Sequence, residues 1–184
     1  MLAWIVERLL RKQERQLGEP LGYLRKLYRL SPAGFWKFGA IGPLAHHRRA
    51  APATPYFVAR LTAARLGGCA ECMSTVAGLA RTEGVSEALI EAALHRPEAL
   101  PPDLALVSRF TEAVVKDAPD VASLRAALAQ QLGERALVDL AFGIIVGQAF
   151  PILKRALGRE VESPAGDKVS GAAALSPEAR ERHA

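Results

Sequence analysis

The stretch GGCAECMSTVAGLAR, residues 67–81, contains both cysteines of the chain, Cys69 and Cys72. The Gly67-Gly68 pair interrupts whatever precedes it, small and apolar residues follow at helical spacing, and Gly84 stops the run. This reads as a helix whose start carries the C-x-x-C. Three residues along a helix rise about 4.5 Å and return to the same face, which brings two thiols near the roughly 5.5–6 Å Cα separation of a disulfide. The free N–H groups of a first turn favour a thiolate, so the setting suits a redox pair. Arg65 is placed to add to that field, and Glu71, between the cysteines, to oppose it.

Two other readings compete at this point: a pair of small buried hydrophobes, and half of a metal site. A metal needs more ligands. His46 and His47 are adjacent and would point in different directions along a regular helix, while His95 and His183 stand apart, and no second C-x-x-C exists. No metal is expected. Nor is a nucleotide cofactor, because no phosphate-cradling glycine loop or dinucleotide fingerprint appears.

Outward from this segment, the same punctuation repeats. Apolar Leu2, Ile5, Val6, Leu9 and Leu10 recur at helical spacing before Gly18, and a short helix follows Pro20. Ser31-Pro32 and Thr54-Pro55 each look like an N-cap followed by proline at the first helical position, starting helices near 32–46 and 55–66. Beyond the C-x-x-C helix, spacing predicts helices over 86–95, 103–116 and 120–132, then a long apolar one from Glu134. In that last helix Gly143 and Gly147 invite a close neighbour, and Pro151 should kink it. No stretch alternates apolar and polar as a half-buried strand does. The fold class is all-α, with about nine helices. Residues 1–30 read as an N-terminal helical extension, 31–158 as the main helical domain, and 159–184 as a mobile tail without sustained apolar period.

Length and composition agree. The chain has 184 residues, half of them hydrophobic and 23% charged, enough for one domain with appendages. The apolar opening MLAWIV is short for a signal peptide, so a cytoplasmic setting is expected. Residues 136–153 are interrupted by Asp139, Gln148 and Pro151, which suits a core helix better than a membrane span. Charge is lopsided: residues 1–70 carry 12 basic and 3 acidic groups, while residues 71–184 carry 12 basic and 16 acidic. A basic half can attract nucleic acid, but no aromatic-interleaved basic strand, zinc finger or recognition helix accompanies it, so nucleic acid is not the expected partner.

The run from Cys69 to Ile90, with Val58 to Gly68 before it, resembles the signature segment of the carboxymuconolactone decarboxylase and alkylhydroperoxidase-D-like proteins. In that family C-x-x-C opens a helix that continues through A-x-x-x-G to a second short helix. The resemblance continues more loosely through Ala105–Val115 and Leu132–Val146 to Gly158, covering about residues 30–158. It implies an all-helical, homo-oligomeric protein, trimer or hexamer, acting as a dithiol peroxidase or disulfide reductase. Cys72 would attack the peroxide O–O bond and Cys69 would resolve the sulfenic acid, with an external thiol as electron donor.

Two departures stand out. The motif histidine of the peroxidatic members falls here on Val76, and their upstream glutamate on Phe57. Neither can relay a proton, which leaves Glu71 as the nearest titratable candidate. General acid–base help is worth about 10²–10⁴-fold in rate, so weak peroxidase activity is expected. Two alternatives remain. One is a degenerate binding or assembly module using the aromatic segment FWKFGAIGPLAHHRR (residues 35–49), whose Phe35 and Phe38 also suit core packing. The less favoured is a lactone decarboxylase.

Overall fold

The computed structural model describes residues 2–158; the expected tail lies outside them. Among the described residues every regular element is helical, as expected. The helices are α1 (Leu2–Leu17), α2 (Gly22–Leu30), α3 (Pro32–Gly39), α4 (Ile41–Ala45), α5 (Ala53–Leu66), α6 (Ala70–Thr82), α7 (Glu87–His95), α8 (Pro102–Lys116), α9 (Val121–Leu132) and α10 (Glu134–Ala156), with a 3-10 turn at Pro97–Ala99. The segment expected as one helix over 32–46 is two, α3 and α4, meeting at Ala40.

Local chemistry sets most boundaries. Ser31 Oγ accepts the Gly34 N–H at 3.1 Å and Pro32 sits at the first helical position, as the Ser-Pro pair predicts. Gly18, Gly84 and Gly133 follow helix ends with φ of +70°, +80° and +83°, where a side chain would be strained. Thr54 is not the cap expected of it, because α5 begins at Ala53 after Pro52. The reason is tertiary. Asp139, on α10, accepts the backbone N–H groups of Arg49, Ala50 and Ala51 at 2.9, 2.7 and 2.8 Å, and so turns the chain into α5 early. Burial alone would raise the Asp139 carboxyl, but the three N–H bonds outweigh it and leave its pKa below the usual value.

Two hydrophobic clusters organise the packing. The larger joins α5 to α10, around fully buried Val58, Leu61, Ile90, Val107, Leu128 and Leu140. The smaller gathers Val6, Leu10, Leu21, Tyr23 and Phe35, with Phe150 and Leu153 of α10 packed against it. Across α1 and α2, Arg25 binds Glu7 and Glu14 at 2.9 and 2.5 Å. Those hydrogen bonds pull both carboxyls down to about 2.

α5 is the central helix, with Tyr56 through Ala64 all buried. It lies against α10 at a distance that only glycine permits: a Cβ on Gly147 would stand 2.7 Å from Ala63 Cβ and 2.9 Å from the Arg60 carbonyl oxygen. Gly67, at the end of α5, is pressed in the same way by Pro151, through which α10 continues to Ala156. By length and hydropathy α10 could cross a membrane; half of its most apolar window is buried within the fold.

Candidate redox site

The close α5–α10 contact delivers the last turn of α10 to the start of α6. Gly68, at φ +63°, turns the chain between α5 and α6, and Arg155 donates to the Gly67 carbonyl at 3.3 Å. Cys69 then occupies the N-cap of α6 and its sulfur accepts the Cys72 N–H at 3.2 Å, as a capping oxygen does in other helices. Cys69 and Cys72 are joined as a disulfide, their Cα atoms 5.2 Å apart. The helix-start position read from the sequence is therefore the observed one.

The two sulfurs have different surroundings. Cys69 is 4% exposed and faces Lys154, whose Nζ lies 3.7 Å from its sulfur. That lysine is itself 6% exposed. It donates to Glu71 Oε2 at 2.6 Å and stands 5.0 Å above the ring of buried Tyr23. Cys72 instead contributes to the wall of a cavity of about 580 Å³. Thr75, Val76 and Leu79 of α6 share that wall with Tyr23, Phe35, Trp36 and Phe38 from the N-terminal helices and Phe150 and Pro151 from α10. Cys69 thus faces a cation, while Cys72 borders the cavity that Lys154 also lines.

Of the residues singled out from the sequence, Cys69, Cys72 and Glu71 come together. Arg65 does not join them: it turns toward α8, bonding Glu112 at 2.6 Å and the Ala93 carbonyl at 3.2 Å, so the positive field at Cys69 comes from Lys154. Burial would raise the Glu112 carboxyl, but its bond to Arg65 prevails and the net shift is downward. Val76 and Phe57 are both buried apolar residues, and only Val76 reaches the cavity. His46 lines the same cavity, whereas His47 lies 3.7 Å from Asp139. Phe35 is core, while Trp36 is 47% exposed, so the aromatic segment is shared between packing and the cavity wall.

Lys154 was missed in the sequence. The available signal was a lysine within an apolar helix, between Leu153 and Arg155, 82 positions beyond Cys72. Nothing local tells which side of α10 it occupies. Among the described residues no group of three or more His, Cys, Asp or Glu side chains is arranged to hold a metal ion.

No protein-family model, no curated protein and no solved structure matches the chain. What fold and site define is therefore a class: an all-α protein with a C-x-x-C disulfide at a helix start.

Proposed function

We propose that the protein is a thiol-disulfide oxidoreductase with weak alkyl hydroperoxide reductase activity, cytoplasmic and homo-oligomeric, related to the alkylhydroperoxidase-D-like proteins that residues 58–90 resemble. The observation that carries this reading is the asymmetry of the pair: Cys69 against buried Lys154, Cys72 on a cavity wall. In the reduced protein the Cys72 thiolate attacks the distal peroxide oxygen. The O–O bond breaks, the alkoxide takes a proton to leave as an alcohol, and Cys72 becomes a sulfenic acid. The Cys69 thiolate then attacks the Cys72 sulfur, forming the disulfide as the hydroxyl group leaves with a proton as water.

Two external thiols, supplying one electron each, return the oxidised pair to the dithiol. The first, as its thiolate, attacks Cys72 from the cavity and expels Cys69, and the second releases the mixed disulfide. Lys154 acts in this step: a cation beside Cys69 makes it the better leaving group. Glu71, with Oε2 at 2.6 Å from Nζ, holds the lysine beside the pair. Support for self-association comes from α10, where Val138, Ile145 and Ile152 recur every seventh residue and are about half exposed.

The test is to treat the reduced protein with stoichiometric cumene hydroperoxide and map the thiols by mass. A Cys69–Cys72 disulfide should form, and Cys69→Ser should trap a sulfenic acid on Cys72. If both thiols stay reduced while a control thiol oxidises, the proposal fails. A binding or assembly role would instead show as unchanged cellular function in Cys69→Ser/Cys72→Ser.

A further inference from the structure

The cavity beside Cys72 has a cation in its wall that the redox chemistry does not use. Arg60, on central helix α5, is 6% exposed. Its Nη1 donates to the Ala45 carbonyl at 3.3 Å, an oxygen that also takes the Tyr56 hydroxyl at 3.0 Å. Its Nε has no hydrogen-bond partner among the described residues. Burial pushes the pKa of this guanidinium down and the neighbouring Tyr56 works the other way; among the described residues no carboxylate forms an ion pair with it, and Glu19 is the carboxylate that shares the cavity wall. The other cation of the wall, Lys154, is already held by Glu71.

An arginine stays charged at any physiological pH, and a buried charge without a counter-ion is unfavourable until an opposite charge joins it. The chemistry that best meets a guanidinium is a carboxylate, through paired N–H donors. A single buried cation matches a monoanion better than a phosphate dianion. The remaining wall is largely apolar, with Phe35, Phe38, Ile41, Leu79 and Phe150, and about 580 Å³ falls within the ~300–1,000 Å³ usual for small-molecule sites.

We infer that this cavity binds a carboxylic acid with an apolar tail, its head on Arg60 and its body among the aromatic side chains beside Cys72. The inference rests on the redox reading for one consequence: the substrates of the pair are hydroperoxides or disulfides of such acids. Binding itself does not depend on the cysteines.

The experiment uses the full chain as Cys69→Ser/Cys72→Ser, which removes the chemistry, with Trp4→Phe so that Trp36 reports from the cavity wall. Octanoate and octanamide, alike in shape and different in charge, are titrated by fluorescence and calorimetry. Octanoate should bind at least tenfold more tightly, and Arg60→Gln should reduce it to the level of the amide while leaving the amide unchanged. Val76→Phe, which fills space next to Cys72, should weaken both. Equal affinity of acid and amide, or no measurable octanoate binding, overturns the inference, and neither comparison requires the Arg60 variant to fold. Failure of cumene hydroperoxide to oxidise the wild-type thiols would sink the redox reading while leaving the octanoate result standing, so the two ideas fail separately.

Discussion

Replacing Lys154 by methionine should make the Cys69–Cys72 disulfide harder to reduce, and the structure sets the size of the effect. At an effective dielectric of about 20, a lysine 3.7 Å from a Cys69 thiolate stabilises it by about 4.5 kcal/mol. Glu71 works against this. Its contact with Nζ at 2.6 Å means the carboxylate can lie no farther from the sulfur than the two distances laid end to end, about 6 Å. At that limit its repulsion is about 2.6 kcal/mol, a term that is still present when Lys154 alone is replaced. Because the stabilised thiolate belongs to the reduced protein, losing the lysine term of about 4.5 kcal/mol lowers the reduction potential, by about 100 mV for a two-electron couple at a pH where the thiolate prevails.

Glu71→Gln removes the repulsion and should move the potential the other way. The measurement is equilibration in dithiothreitol redox buffers at pH 8.5, followed by acid quenching and alkylation. The opposite signs are the decisive feature. A shift below about 10 mV in Lys154→Met, or the same direction in both variants, would refute the role given to Lys154.

Three further outcomes test the fold around the site. Asp139→Ala leaves three backbone N–H groups without their acceptor and should lower unfolding free energy by about 3 kcal/mol or more in a urea titration. Since the folded carboxyl is depressed, its contribution is present above the ordinary Asp value and is lost as pH falls through the folded one; Asp139→Asn should accordingly flatten the stability profile below about pH 4. Gly147→Ala forces its methyl into Ala63 and the Arg60 carbonyl and should cost about 2 kcal/mol, whereas Gly78→Ala, with nothing within 4 Å, should add about 0.5–1 kcal/mol; calorimetric melting of the two variants compares them. If α10 mediates self-association, Ile145→Glu should convert the assembly to monomer in light scattering without changing the helical circular dichroism of the monomeric unit.

Much of the helix order was legible because its signals are local. A Ser-Pro pair caps α3, glycines with positive φ end helices, and an apolar period of 3.6 marks what lies between. The same locality produced the errors. Thr54 has the chemistry of a cap but lies inside α5, since the turn before it is decided by Asp139, 85 residues away. Arg65 is near Cys69 in the chain and points to Glu112 in space.

An all-α chain with a C-x-x-C at a helix start can be read from the residues alone, because helix caps, breakers and the three-residue cysteine spacing act within a few positions. Which cysteine faces Lys154 and which borders the cavity follows from packing between distant helices. That outcome depends on how closely α5 and α10 approach through Gly147 and Gly67, and on which face of α10 then turns Lys154 toward Cys69. Such contacts join residues more than 80 positions apart, and no local pattern encodes the packing distance that brings them together.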